Sequence, residues 1–460
     1  MSHSRGHSRV ASMKRSDFTQ DELGGRVVHE GSLSKQQSKG LKSWQQRHFE
    51  LTELCVLRYY TDEAQKRQGS QQVKGALSLA GLSQVVVSAA GSGEARDLTL
   101  SVGAEKYGYR AADAAAAEGW AAALRGVLGQ FLRDAARGGD LGTLQALLAA
   151  GAASADDADD SGRTALWLAA QQGRDAAVTA LLDAGAVADA QSSDGATALF
   201  VAAQNGHAGV VGRMLTHLRR PGWAPRARDG VTPLFVAAQN GHVAVAEHLT
   251  YVGADVNDAR PADGATPLFI AAQRGHAGVV AALVAVDGTA LDGATADGAT
   301  PLFVAAQNSN APIVELLARA GADVQRPRAD GVTALFKAAE KGCEPVLAAL
   351  LAAHADPNGG GKAGGTTPLL IAAQKGFGGI VAALCGAGAD VEAARGDGVT
   401  PLAMAVYKGS GHAVAQLLAA GADARKAGPF GAVLQLAKQQ GHTEIFQQLE
   451  AHLARSARPQ

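Results

Sequence analysis

The sequence predicts two folded parts of different class: a small antiparallel β-barrel or sandwich closed by one helix, then an all-α solenoid of repeated helix pairs. Three observations carry this. A string of the form Thr-Pro-Leu-Phe-Val-Ala-Ala-Gln recurs at steps of 33 to 35 residues through the second part. Ahead of it lie seven short β-like runs and one helical stretch bearing Trp120. The charge balance changes at the same place: residues 1–130 hold 17 basic and 13 acidic side chains, and residues 131–460 hold 25 and 30.

Composition narrows the classes. The 460 residues carry a formal net charge of −1, 47% hydrophobic residues but only 5% aromatics, and 57 glycines. A core of Ala, Leu and Val suits short, closely packed helices. The near-zero balance argues against a nucleic-acid binder, which carries a basic excess. No run approaches the roughly 20 apolar residues of a membrane-spanning helix, and no apolar stretch near the start reads as a secretory signal. Cys55, Cys343 and Cys385 are too few and too scattered for a disulfide framework or a zinc site. The expectation is a cytoplasmic chain, peripheral at most to the inner membrane face.

Residues 1–25 are rich in Ser and Arg and have no apolar period. Such a segment buries too little to offset its ordering entropy, so it reads as a disordered basic tail. Residues 26–130 form the first domain. Its β-like runs are 31–36, 45–51, 56–60, 74–79, 84–88, 97–102 and 106–110, separated by turn-rich pieces such as Gly91-Ser92-Gly93. A helix over 111–128 follows, with Trp120, Leu124 and Leu128 on one stripe and Asp113 able to cap its start.

The segments EGSLSKQ and WQQRHFEL, with Gly31, Leu33, Lys35, Trp44, Arg47, Phe49, Leu51 and Trp120, resemble a pleckstrin homology domain. The resemblance implies a small β-barrel with a C-terminal helix. In that family, phosphoinositide-binding members use a Lys late in the first strand, a basic-x-Arg pair in the second and a Tyr in the third. Lys35, Arg47 and Tyr59 fill three of these positions, and Gln45 replaces the intervening cation. Lys39 and Lys42 add charge to an acid-free stretch from Lys35 to Arg47. At about 1 kcal/mol per cation near an anionic leaflet, four would give roughly 3–4 kcal/mol, enough for transient recruitment only.

Residues 131–453 form the second domain, followed by a tail over 454–460. Repeat units begin at Thr164, Thr197, Thr232, Thr266, Thr300, Thr333, Thr367 and Thr400; a degenerate unit is marked by Val433, and a half-unit over 132–152 precedes them all, so about ten units stack. Asp-Gly at Asp194, Asp229, Asp263, Asp297, Asp330 and Asp397 supplies a tight turn, Thr caps the first helix, and Pro stands at its first position in units such as Thr232-Pro233 and Thr266-Pro267. Paired alanines such as Ala237-Ala238 allow close helix approach, and Gly206, Gly241 and Gly275 end the first helix. One unit cannot cover its own apolar face; stacking does so.

These units resemble the ankyrin repeat family, which implies protein binding on a concave face made of turn tips and first-helix positions. Where that family has His after Thr-Pro-Leu, this chain has Phe200, Phe235, Phe269, Phe303 and Phe336, exchanging a polar tie for aromatic packing. His207, His242, His276, His412 and His442 match the family's Gly-His pair and read as turn-fixing groups, one per repeat being too sparse to share a metal.

Early first-helix positions are uniform and amide-rich, whereas the later ones, Lys337, Lys341, Lys375, Tyr407 and Lys408, are basic and varied, so a partner is expected there. Arg219, Arg220 and Trp223 interrupt the array as an acid-free loop, a second candidate contact. The run NGGGKAGG over 358–365 lacks the spacing of a phosphate loop.

The expected function is that of a non-catalytic adaptor, with no cofactor or metal, holding a protein on the repeats and meeting a phosphoinositide membrane weakly. Two alternatives differ in class. One is a regulatory component of a small-GTPase pathway, since some Arf GTPase-activating proteins combine the two modules; those carry a four-cysteine zinc module between them, and this chain has no Cys there. The other is a structural spacer without lipid binding.

Overall fold

The computed structural model describes the backbone of seven strands between Val27 and Ala111 and of residues 112–456 apart from 150, 152, 219–228, 362–363 and 430. Side chains are described at Tyr109 and through most of 111–455. The chain divides into two compact units, one of residues 1–202 with 212–219 and the other of residues 203–211 with 220–460.

In the first unit the strands are β1 (Val27–Gln36), β2 (Trp44–Thr52), β3 (Val56–Tyr60), β4 (Gly75–Ser78), β5 (Leu82–Ala89), β6 (Arg96–Val102) and β7 (Glu105–Ala111). They form one antiparallel sheet in the order β4-β3-β2-β1-β7-β6-β5. Two meanders, β1 to β4 and β5 to β7, therefore meet where Ser34 and Lys35 of β1 pair with Arg110 and Tyr109 of β7. Every expected strand is present. The first starts four residues early, because Val27 and His29 already pair with Thr52 and Leu51 across a bulge, and the fourth is trimmed to Gly75–Ser78.

Helix α1 (Ala114–Gly138) starts where Asp113 Oδ1 accepts the Ala116 N–H at 2.7 Å and stops at Gly139, whose φ of 80° turns the chain. The sequence pattern stopped it at 128. It continues because its buried stripe of Trp120, Leu124, Val127, Leu128, Leu132, Ala135 and Ala136 has something to cover throughout. Its packing partners are β1, β5, β6 and β7 together with α2 (Leu141–Ala149) and α3 (Ala165–Gln171). The Trp-bearing helix and the first helix of the first repeat are thus one rod, and residue 131 lies inside it. α3 pairs with α4 (Asp175–Asp183), completing the next repeat.

The pair α5 (Ala198–Gln204) and α6 (Ala208–Leu218) follows. The second unit then adds seven helix pairs: α7 (Pro233–Asn240) with α8 (Val243–Tyr251), α9 (Pro267–Arg274) with α10 (Ala277–Val284), and α11 (Pro301–Gln307) with α12 (Ala311–Ala320). After them come α13 (Ala334–Lys341) with α14 (Glu344–Ala352), α15 (Pro368–Lys375) with α16 (Gly378–Gly386), and α17 (Pro401–Tyr407) with α18 (Gly411–Ala419). The small hairpin of β8 (Ala427–Gly428) and β9 (Gly431–Ala432) leads to α19 (Val433–Gln439) and α20 (Thr443–Ser456). First helices stack on first helices from α7 to α19, and second helices on second from α8 to α20.

The local causes repeat. Thr232, Thr266, Thr300, Thr333, Thr367 and Thr400 each accept the backbone N–H three residues on, at 3.1–3.3 Å. This satisfies a donor that the helix leaves unpaired. Ala237, Ala238, Ala271 and Ala272 are fully buried, which sets the close spacing of the first helices. Phe235, Phe303 and Phe336 are among the largest fully buried side chains; burying each contributes roughly 1.5–3 kcal/mol. Among the described residues no helix is long and apolar enough to cross a membrane.

Candidate functional site

Of the headgroup candidates, Lys39 and Lys42 lie outside the described residues, and Lys35, Arg47 and Tyr59 are described in backbone only. The ladder sets Lys35 opposite Gln45, Leu33 opposite Arg47, and Phe49 opposite Tyr59. Directly paired residues share a side of a sheet, as do residues two apart. Lys35, Arg47 and Tyr59 therefore hold positions of one parity across β1, β2 and β3. Arg219, Arg220 and Trp223 also lie outside the described residues.

On the repeats of the second unit, the amides and imidazoles bind neighbouring units together. Asn240 Nδ2 donates to the Gln204 carbonyl at 2.9 Å, and Asn308 Nδ2 to that of Gln273 at 2.9 Å. His242 Nε2 lies 3.0 Å from the Gln204 carbonyl, and His276 Nε2 3.0 Å from that of Gln239. A carbonyl only accepts, so these imidazoles carry their proton on Nε2. The histidines therefore tie one repeat to the one before it, a wider reach than fixing their own turn. The repeat's glycine is shaped by the same contact: a Cβ on Gly241, at φ 80°, would lie 2.6 Å from His276 Nδ1.

At the basic end, Lys337 Nζ is 2.5 Å from Glu340 Oε2, and both side chains are mostly buried, at 15% and 19% exposure. Its charge is spent within its own helix. Lys341 and Lys375 stand exposed at the ends of α13 and α15. Tyr407 is 40% exposed, and Lys408 Nζ sits 5.4 Å from its ring centroid.

A motif that sequence reasoning missed joins turns to rings. Arg260 donates from Nε and Nη2 to Asp263 at 2.9 and 2.5 Å, and its guanidinium lies 5.1 Å from the Phe235 ring centroid. Arg328 makes the same paired contact with Asp330 and lies 5.4 Å from the Phe303 centroid. The Arg328 bond holds the Asp330 carboxyl well below its ordinary value, at about 2. The Arg260 bond lowers Asp263 in the same direction. The exchange of the family's His for Phe is thus not purely apolar, because a cation from the following turn covers the ring.

Between these two positions the motif is incomplete. The turn before Thr300 carries Thr295, whose Oγ1 donates to Asp297 Oδ1 at 2.6 Å. That bond lowers the Asp297 pKa. A cavity of about 330 Å³ opens beside it, lined by Phe269, Phe303, Asp263, Asp297, Thr295 and Arg328 among others. The signal was present in the sequence as Thr where neighbouring turns have Arg two or three residues before Asp-Gly.

Family models match both parts of the chain. A model of ankyrin repeats in three copies matches residues 132–221, 177–260, 234–328 and 325–395, together more than half of the chain. A PH domain model matches residues 27–128. Among solved structures, the human ASB11 ankyrin repeat domain is 30% identical over 49% of this chain and 98% of that chain, with a TM-score of 0.43. No curated protein matches the chain.

Proposed function

Because the chain belongs to the ankyrin repeat family and carries a PH domain ahead of its repeats, we propose that it is a non-catalytic adaptor. In this reading the repeats hold a protein partner, and the PH domain gives weak recruitment to an anionic phosphoinositide surface at the inner membrane face. Ankyrin repeats imply protein binding, and a PH domain is compatible with peripheral attachment to lipid.

The observation that carries the protein-binding role is the pre-set geometry of the second unit. Its first helices stack on one another, and the His242–Gln204 and His276–Gln239 bonds tie successive repeats at the ends of those helices, which holds their exposed ends in a row. A surface that needs no ordering on binding loses less conformational entropy. The partner contacts proposed are Lys341, Lys375, Tyr407 and Lys408, with Arg219, Arg220 and Trp223 as a second group. Full-length chain used as bait should lose its partner when Lys341, Lys375 and Lys408 are changed together to Glu. A bait that retains no specific protein in either form would leave only a spacer.

The lipid role rests on the shared parity of Lys35, Arg47 and Tyr59, with Lys39 and Lys42 in the intervening segment. Arg47 would grip a phosphate through its planar fork. The test is sedimentation with vesicles containing phosphatidylinositol phosphates. Lys35→Ala with Arg47→Ala should lower binding, and unchanged binding would end the lipid assignment.

A further inference from the structure

The cavity over Phe269 lies between two positions, Phe235 and Phe303, that an arginine of the following turn covers. In the second unit, Arg260 stacks over Phe235 while bonded to Asp263, and Arg328 stacks over Phe303 while bonded to Asp330. Each arginine comes from the turn that follows the ring it covers. Arg395 bonds Asp397 in the same way, although Leu370 replaces Phe in the unit before it. Thr295 holds the equivalent place in the turn after Phe269, and its hydroxyl stays within its own turn, on Asp297 Oδ1 and the Ala299 carbonyl.

All three rings are buried to similar degrees. Phe235 and Phe303 are 1% and 2% exposed, and Phe269 is 6% exposed. The space left, about 330 Å³, stands at the bottom of the roughly 300–1,000 Å³ range of ligand pockets, a size for one long side chain.

Its chemistry selects among occupants. Asp263 is engaged on both oxygens by Arg260. Asp297 is different: Oδ1 accepts from Thr295 Oγ1 and, at 3.4 Å, from the Ala299 N–H, while Oδ2 makes an ion pair with Arg328 Nη1 at 3.7 Å but no hydrogen bond to it. The Asp297 side chain is 62% exposed, so an apolar occupant would strip water from a carboxylate and return nothing. A planar cation would return both a ring contact and a charge-assisted bond. Arg328 does not repel it strongly, since its own charge is matched by Asp330.

We propose that this cavity is a docking slot for an arginine side chain presented by a partner protein, its guanidinium stacked on Phe269 and bonded to Asp297. The slot rests on the reading of the repeats as a protein-binding surface and adds a chemical requirement to it.

The probe is a pool of peptides, acetyl-X4-Arg-X4-amide, compared with pools carrying citrulline or lysine at the centre, each passed over immobilised full-length chain. The arginine pool should be retained about fivefold to tenfold over the citrulline pool, as a charge-assisted bond plus ring stacking implies. Thr295→Arg should abolish that preference by filling the slot from within while leaving the melting temperature equal or higher. Asp297→Asn keeps an acceptor for the turn but removes the charge, and should reduce the preference even if Thr295→Arg does not fold.

Equal retention of the arginine and citrulline pools overturns the slot, as does an undiminished preference in folded Thr295→Arg or in Asp297→Asn. Equal retention of arginine and lysine overturns the requirement for a planar cation. A full-length chain that captures a partner sensitive to the lysine changes yet shows no arginine preference overturns the slot alone and leaves the adaptor reading standing.

Discussion

Arg328 holds its guanidinium 5.4 Å from the ring centroid of Phe303, a residue of the preceding repeat, while the same group bonds Asp330 in its own turn. One side chain thus fastens a turn to itself and to its neighbour. In a stacked array, stability is close to a sum of unit terms and nearest-neighbour interface terms, so such a contact belongs to the interface term.

That interface term can be isolated. A double-mutant cycle with Arg328→Ala and Phe303→Leu should show a coupling of about 0.5–1 kcal/mol in urea unfolding of the full-length chain. A coupling of zero would mean that the arginine serves its turn and nothing else.

Acid should weaken the same turns. The Asp330 carboxyl falls from 3.8 to about 2 because Arg328 bonds it. A carboxyl whose folded pKa lies below its unfolded one stabilises above the unfolded value and loses that contribution as pH falls through the folded value. The loss therefore begins as pH drops past 3.8 and continues toward about 2. Asp263 and Asp297 shift in the same direction. Asp330→Asn should flatten the fall of the unfolding midpoint in this window; an unchanged slope would show that the bond is not made in solution.

Gly241 and Gly288 share a left-handed backbone, φ 80° and 84°, but differ in surroundings. A Cβ at Gly288 meets nothing within 4 Å, whereas one at Gly241 lies against the His276 ring. Gly288→Ala should cost about 1–2 kcal/mol for conformation alone, and Gly241→Ala distinctly more. Adding His276→Ala to Gly241→Ala should recover part of that excess. Equal unfolding midpoints for the two single variants would contradict the close approach.

Ser309 occupies a left-handed position, φ 59°, in the turn where other repeats place glycine. Ser309→Gly should raise stability by about 0.5 kcal/mol, the relief of backbone strain less the added entropy of an unfolded glycine. A lowered melting temperature would show that the Ser309 side chain contributes more than its strain costs.

Much of this was open to reading along the chain. The Thr caps and the Asp-Gly turns each depend on residues within a few positions of one another, and they recur at a 33–35-residue step, so local rules located the start of the first helix in each Thr-headed repeat. The seven strands were legible for the same reason. The end of α1 was not. Whether a helix stops at Leu128 or runs to Gly138 depends on what its Leu132 and Ala135 face can cover, and α2 and α3 supply that cover from later in the sequence.

The candidate slot was legible in its parts but not as a site. Phe269 read as core, Asp263 and Asp297 as turn residues, and Thr295 drew no notice. Composition and period alone determined that this chain is a β-rich module followed by stacked helix pairs. Only the packed structure decided that His242 reaches Gln204, that Arg328 covers Phe303, and that Phe269 has Thr295 where its neighbours have a covering arginine. The reason is one of range: capping and turn chemistry act between chain neighbours, whereas these contacts join groups about a repeat apart, and a cavity exists only once its walls have been brought together.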